Sequence, residues 1–229
     1  MAIVFNPLLQ GGLRSGAVHE VFSDSAGDEA AAAGFALALA IRALIKGQWL
    51  LWVQQDFSAL EAGETHAQGL CELGGDPDRV LMLRAPDAKS VLRAASEGLH
   101  CKGIGVVLIE PWGEARMFDL LASRRLTLAA QQHGATAIVL RLGARPQPSA
   151  AETRWIVKSA ESPDEEDWGR PRFTAALVRN RHGPCGEWVM EWDCNNGIFC
   201  EPPAHYRAVA AEAFHRSPEA AMEGLRQAG

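Results

Sequence analysis

Apolar runs alternate with helix-like patterns along the first 142 residues of the chain. The sequence predicts strands at Ala17–Phe22, Gln48–Gln54, Arg79–Arg84, Ile104–Glu110 and Ala135–Leu142. Apolar residues at helical spacing predict helices between them, at Asp28–Lys46, Ala59–Leu73, Asp87–Leu99 and Met117–His133. Because continuous apolar strands separated by helices are typical of a covered parallel sheet, we predict an α/β fold with helices on both faces of a mostly parallel sheet.

The pattern changes after Leu142. A loop with two prolines, Gly143–Ala150, precedes three predicted strands with short connections, at Thr153–Ser159, Phe173–Arg179 and Glu187–Asp193. Short connections favour antiparallel pairing, so these strands are predicted to extend the sheet. Trp188 and Trp192 are four positions apart on the last strand, which places both on one face, where core packing is expected. Residues 1–200 are predicted to form one core domain and residues 201–229 a helical tail.

Composition and charge agree with an ordinary globular protein. The chain has 229 residues, 48% of them hydrophobic, and a net charge of −6, which gives no reason to expect tight binding to nucleic-acid phosphates. The five cysteines include no C-x-x-C pair, which favours reduced thiols in a cytoplasmic protein over disulfides or a structural metal. No signal peptide is evident, and the longest apolar stretch, Ala30–Ile41, is shorter than the roughly 18–20 residues that span a bilayer.

The stretch Gly16–Gln54 is predicted to form the strand-helix-strand unit on which a phosphate-binding loop normally lies. A working loop reads G-x-x-x-x-G-K-[ST]. Aligned on Gly27, this chain has Phe22 at the first glycine position, Asp28 at the lysine position and Glu29 at the hydroxyl position. A phosphate about 4 Å from either carboxylate would meet a repulsion of about 4 kcal/mol at an effective dielectric constant near 20. The sequence therefore predicts neither nucleotide nor another cofactor at this loop.

The same acidic residues suit the beginning of a helix. Carboxylates in the first turn interact favourably with the helix dipole, by roughly 0.3–1 kcal/mol each. Ser25 and Asp28 also have the spacing of a capping box, with Asp in place of the usual Glu or Gln. We hypothesise that these side chains occupy the space that a phosphate would use. The alternative is a well-capped helix in an unrelated α/β protein.

Several segments, taken in order, resemble the RecA recombinase family. Gly11–Gly16 resembles the glycine-rich segment before the RecA phosphate-loop strand, and Ser25–Gly27 resembles the end of that loop. Val106–Glu110 resembles the Walker B strand, with Glu110 where the family carries a metal-associated Asp. Val178–Arg181 resembles the start of a late hairpin. The resemblance implies a RecA-like three-layer core over about residues 11–200, with an antiparallel C-terminal extension.

Within that superfamily the chain resembles the ImuA-like group. The segments that carry this resemblance are Gly16–Val21, Leu73–Leu81 and Asp119–Leu126. It implies an accessory protein of damage-induced (SOS) translesion mutagenesis. The implied partners are RecA, an inactive Y-family polymerase homologue, or both, with DNA contacted only weakly or indirectly and no membrane.

Departures from RecA bear on activity. The helix-and-strand arm that joins RecA protomers into filaments is missing, and both loops that bind DNA in RecA are shortened, the second to Gly143–Ala150. The acidic residue that activates water in RecA is matched by Asp24, but without the neighbouring lysine we assign it no catalytic role. The resemblance therefore implies a protein that is not an enzyme.

Candidate partner-binding residues are those that a core would not need. We predict Arg124 and Arg125 on one helix as one such surface, and Trp168, Arg170 and Arg172 beside the acidic run 161–167 as another. Three other functions remain open: an unusual active NTPase, a SulA-like inhibitor of the division protein FtsZ, and direct DNA binding. The last would use the basic residues Arg170, Arg172, Arg179, Arg181 and His182.

Overall fold

A computed structural model describes residues 13–161 and 169–202 of the chain. The strands of this part are β1 (Val18–Ser23), β2 (Trp49–Gln55), β3 (Val80–Ala85), β4 (Ile104–Glu110), β5 (Thr136–Arg141), β6 (Thr153–Ser159), β7 (Arg172–Asn180), β8 (Gly186–Asp193) and β9 (Ile198–Cys200). The helices are α1 (Glu29–Ala43), α2 (Asp56–Ala62), α3 (Ala67–Glu72), α4 (Ala88–His100) and α5 (Leu120–His133).

All of these strands belong to one sheet with the order β3-β2-β4-β5-β1-β6-β7-β8-β9. Neighbours from β3 to β6 pair in parallel, and neighbours from β6 to β9 pair antiparallel. The predicted α/β class, the mostly parallel sheet and the antiparallel C-terminal extension are confirmed. The arrangement is consistent with a RecA-like fold.

Alternating side chains divide the parallel part of the sheet between two hydrophobic cores. On β2, Leu50 and Trp52 pack on the α1 side, whereas Leu51 and Val53 pack on the side of α4 and α5. β4 and β5 alternate in the same way. Because both faces of these strands are buried, each reads as a continuous apolar run, and the result is the predicted three-layer arrangement.

An aromatic cluster joins α1 to the antiparallel strands. Phe35 of α1 is fully buried, with its ring centroid 5.3 Å from that of Trp155, 5.7 Å from that of Phe173 and 5.0 Å from that of Phe199. Trp192 is buried in the same core and Trp188 packs against it, which confirms that both tryptophans serve the core. The extension is therefore part of the main hydrophobic core.

Two details of the predicted pattern are wrong. The helix predicted at Ala59–Leu73 is two short helices, α2 and α3, because the chain takes a positive φ of 88° at Gly63, which L side chains rarely adopt. The strand predicted to be buried, at Arg79–Arg84, is β3 at the edge of the sheet. Its side chains Leu81, Met82 and Leu83 are 46%, 43% and 38% exposed.

Some predictions fall outside the described residues. These are the helical tail beyond residue 202, most of the acidic run 161–167, the glycine pair at positions 11 and 12, and Trp168. Within the described ranges, every helix is too short or too polar to cross a bilayer.

Candidate functional site

The loop between β1 and α1 lies where a phosphate-binding loop would lie. Its backbone is tied to the sheet by the N–H of Asp24, which donates to the carbonyl of Val157 on β6, 2.9 Å away. Phe22, at the first glycine position, lies in β1 itself and is 1% exposed. The ring of Phe22 is therefore buried near the end of β1, just before this loop.

Asp28, at the lysine position, is buried and turned toward β6. Its carboxylate accepts hydrogen bonds from the Ser25 hydroxyl at 2.6 Å, from the Ser159 backbone N–H at 3.0 Å and from the Ser159 hydroxyl at 3.1 Å. The Ser25 hydroxyl, followed by the Ser159 N–H, holds the pKa of Asp28 below its usual value. The Asp28 side chain is therefore a stable anion inside the loop.

The predicted capping box is wrong. Asp28 is the N-cap residue of α1, but its side chain makes no capping hydrogen bond. The Ser25 hydroxyl donates to the Asp28 carboxylate, whereas the hydroxyl of a capping box accepts from the backbone of the helix. The Asp28 carboxylate instead joins Ser25 to Ser159, which is remote in sequence.

Glu29, at the hydroxyl position, bonds to the loop backbone. Its Oε2 accepts a hydrogen bond from the N–H of Gly27 at 2.7 Å. Gly27 has a φ of 100°, the kind of backbone that phosphate loops use to aim N–H groups at an anion. The Glu29 carboxylate thus accepts the hydrogen bond of one backbone N–H of the loop.

Glu110, at the Walker B position, is 2% exposed and joins three elements. Its carboxylate accepts from the Trp52 indole N–H at 2.7 Å, from the Gln54 amide at 3.0 Å and from the Ser58 hydroxyl. These uncharged donors come from β2 and from α2 just beyond it. Glu110 therefore fixes α2 to the end of the sheet.

Two loops close the carboxyl edge of β4 and β5. The N–H of Gly113, in the turn after β4, donates to the carbonyl of Leu142 at 2.9 Å. Glu114 accepts from the backbone N–H of Arg145 at 3.1 Å and from the side chain of Gln147 at 3.0 Å. Since ligands of open α/β sheets bind at this edge, the interlaced loops cover a usual binding position.

Buried charges stabilise the same region. Arg154 of β6 pairs with Glu20 of β1 at 2.7 Å, and both side chains are mostly buried. The Arg154 guanidinium also donates to the Ser149 hydroxyl at 2.9 Å and to the carbonyl of Gln147. Arg179 donates to the Ser149 carbonyl at 2.8 Å. The two arginines therefore bind the loop after β5, and the sequence offered no local signal for these contacts.

A third arginine, Arg141 at the end of β5, is packed between aromatic rings. Its guanidinium carbon lies 5.8 Å from the ring centroid of Phe22 and 5.4 Å from that of Phe118. Burial lowers the pKa of Arg141 from its usual value. Phe22 thus packs against Arg141, which gives the aromatic ring at this position a structural role.

Comparison with known proteins decides the family. No family model matches the chain. Protein ImuA, from two strains of Caulobacter vibrioides, is 32% identical over a 237-residue alignment that covers 96% of this chain and 90% of that protein. This chain belongs to the ImuA family. Because the alignment spans nearly all of both chains, the relationship extends well beyond any single motif.

The arginines that were candidates for DNA contact lie in two separate places in this ImuA-family chain. Arg172 pairs with Glu191 at 2.7 Å, and Arg170 lies 3.4 Å from Asp193. Arg179 lies near the other end of β7, about 24 Å from Arg172 at the rise of a strand, and Arg181 follows the end of β7. They donate to the carbonyls of Ser149 and Ala151. The structure therefore does not gather them into one basic surface.

The other candidate surface of this ImuA-family chain is α5. Arg124 and Arg125 are exposed on its outer face, away from the core formed by Leu126 and its neighbours. Among the described residues, no three His, Cys, Asp or Glu side chains group as a metal site would require.

Proposed function

We propose that this chain is a non-catalytic, RecA-related accessory protein of damage-induced translesion mutagenesis, which works in the cytoplasm through contacts with other proteins. Membership of the ImuA family supports a role in damage-induced mutagenesis. The observation that carries the non-catalytic part is the position of Asp28, whose buried carboxylate is held by Ser25 and Ser159 at the place where a phosphate loop has its lysine.

The electrostatics of the loop argue against nucleotide binding. A triphosphate needs free backbone N–H groups and a lysine at the start of the helix. Here the Gly27 N–H is bonded to Glu29, and the lysine position is a carboxylate whose lowered pKa keeps it charged at neutral pH. A nucleotide would have to displace one anion and approach another.

The Walker B position supports the same proposal. A carboxylate that holds a metal ion must point toward the phosphates or toward the water around the ion. The Glu110 carboxylate instead accepts from Trp52, Gln54 and Ser58 inside the protein. Recruiting it for magnesium would leave three buried donors without an acceptor, at about 1–3 kcal/mol each.

We propose RecA, the inactive Y-family polymerase homologue of a mutagenesis cassette, or both as partners, with DNA reached through them. The internal ion pairs of Arg170 and Arg172 and the net charge of −6 favour protein contacts over direct phosphate contacts.

A pairwise binding assay tests the proposal. The purified full chain is immobilised and titrated with RecA, with the inactive polymerase homologue and with FtsZ, each with and without ATP. We expect saturable binding to RecA or to the polymerase homologue, with the polymerase affinity unchanged by ATP. Binding to FtsZ alone would support a division inhibitor, and binding to none of the three would refute the proposal.

A further inference from the structure

The outer face of α5 combines exposed leucines with arginines. Leu121, Arg124, Arg125 and Leu128 follow the spacing i, i+3, i+4 and i+7, which places them on one side of a helix. Leu121 is 55% exposed and Leu128 65%. The buried residues of the helix, among them Leu126, lie on the opposite side.

Two further apolar side chains are exposed at the beginning of the helix. Met117 and Leu120 are 40% and 38% exposed. A single exposed leucine is normal on a soluble protein, but exposed apolar side chains grouped in one place mark an interaction site. We call Met117, Leu120, Leu121, Arg124, Arg125 and Leu128 the α5 surface.

The charges of the α5 surface have no ion-pair partner among residues 13–161 and 169–202. In the described ranges, no carboxylate forms an ion pair with Arg124 or Arg125. Arg93 on the neighbouring α4, by contrast, pairs with Glu97 at 3.1 Å. The chain as a whole carries a net charge of −6, so this pair of arginines is a local positive charge on a negatively charged protein.

The helix that carries the α5 surface is capped at both ends. Asp119 caps the helix by accepting from the N–H of Ala122 at 2.8 Å, and Gly134 ends the helix in the left-handed conformation. Ser123, on the buried side, accepts from the N–H of Ala150 at 2.9 Å and so joins α5 to the loop after β5. A partner would therefore meet a preformed surface and lose little free energy in ordering it.

We propose that the α5 surface binds an acidic amphipathic helix of a partner protein. Apolar side chains of that helix would pack against Leu121 and Leu128, and its carboxylates would pair with Arg124 and Arg125, whose planar guanidinium groups suit bidentate contacts. Leucines at a spacing of seven match the way in which two helices pack along a seam. The exposed leucines favour this occupant over DNA. The proposal rests on the proposed function only in that the chain acts through a protein partner.

A displayed library of random 16-residue peptides, selected on the immobilised full chain, tests this surface without reference to any named partner. Selected peptides should carry Asp or Glu beside apolar residues at spacings of three, four and seven. Their affinity should fall at least tenfold for R124E/R125E and for L121S/L128S. The control R93E reverses an exposed, paired arginine on α4 and should leave affinity within twofold. Circular dichroism melts establish that each variant is folded.

The proposal fails if no peptide pattern emerges, or if the selected peptides bind R124E/R125E as tightly as the unmodified chain. It also fails if light scattering shows a dimer that R124E/R125E dissociates, since the occupant is then a second copy. Loss of labelled single-stranded DNA binding in the same variant, without peptide selection, would assign the surface to nucleic acid. If acidic peptides are selected but neither RecA nor the polymerase homologue binds, the surface stands and the proposed function falls.

Discussion

The carboxylate of Asp28 accepts a hydrogen bond from the backbone N–H of Ser159, 3.0 Å away, across 131 positions of sequence. This bond joins the beginning of α1 to the end of β6. Asp28 lies in the loop between β1 and α1. The acidic residue at the lysine position therefore has a structural role of its own.

Replacing Asp28 should destabilise the fold. D28A leaves the Ser159 N–H and two hydroxyls without their acceptor, and we expect a loss of about 2 kcal/mol in the free energy of unfolding, measured by urea denaturation. D28N keeps one oxygen acceptor and should lose about half as much. D24A, at an exposed position whose backbone makes the β6 contact, is the matched control and should change stability by less than about 0.5 kcal/mol. Equal effects of D28A and D24A would show that the Ser159 contact adds nothing.

Glu110 should be essential for folding stability. E110A leaves the Trp52 indole, the Gln54 amide and the Ser58 hydroxyl without an acceptor, so we expect a loss of about 3 kcal/mol or more. E187A, at an exposed position on β8, serves as control. Magnesium chloride should not raise the melting temperature of the unmodified chain at constant ionic strength. A rise that disappears in E110Q would instead identify Glu110 as a metal ligand.

His19 should make stability depend on pH. It is fully buried, bonded to Thr153 at 2.8 Å and to the Arg14 carbonyl at 2.9 Å, and burial lowers its pKa to about 4. The unfolded chain binds this proton from about pH 6.5 downward, whereas the folded chain does so only near pH 4. The contribution of His19 to the free energy of unfolding is therefore fully present above pH 6.5. Below pH 6.5 the free energy of unfolding falls by about 1.4 kcal/mol for each pH unit, until the pKa of the folded state is reached.

Urea denaturation between pH 7.5 and 4.5 measures this effect. H19Q should lower stability at pH 7.5 and flatten its dependence on pH. H133Q, at the exposed end of α5, should leave the dependence unchanged. The pKa of Asp28 is lowered by its hydrogen bonds, so its contribution is lost only below about pH 4, outside this window. A slope that survives in H19Q would assign it to other groups.

Arg154 should hold the loop after β5. R154M removes the ion pair with Glu20 and the bonds to Ser149 and Gln147, leaving a buried carboxylate unpaired, which costs about 3–5 kcal/mol. Amide hydrogen exchange over residues 143–151 should become faster than in the unmodified chain. R93M breaks an exposed pair on α4 and should leave that segment unchanged. Unaltered exchange in R154M would mean that the Glu114 contacts suffice.

Local sequence pattern was enough to predict the architecture of the sheet. β4 and β5 read as apolar runs because α1 covers one face and α4 and α5 cover the other. The same pattern could not separate β3 from them. A run such as Val80–Ala85 has the composition of a buried strand, and only the order of strands in space places it at an edge. The three-residue strand β9 was too short to give a signal.

The sequence predicted which types of side chain the candidate site contains, but not their hydrogen-bond partners. Carboxylates at the lysine and hydroxyl positions were visible in the sequence. The partner of Asp28 was not, since Ser159 lies on a strand far along the chain and the nearby Ser25 suggested a capping box. Glu110 stood out as the last residue of an apolar strand, but its three donors are set by how β2 and α2 fold against β4.

Calorimetric titration of the full chain with magnesium ATP tests the central claim most directly. Because Asp28 and Glu29 place two carboxylates in the loop between β1 and α1, we predict no saturable heat up to about 1 mM nucleotide. A dissociation constant of 1 mM corresponds to a binding free energy of about −4 kcal/mol. D28K should also give no saturable heat, because Glu29 would still accept the hydrogen bond from the Gly27 N–H. Saturable, magnesium-dependent binding of ATP to the unmodified chain at micromolar affinity would contradict the account.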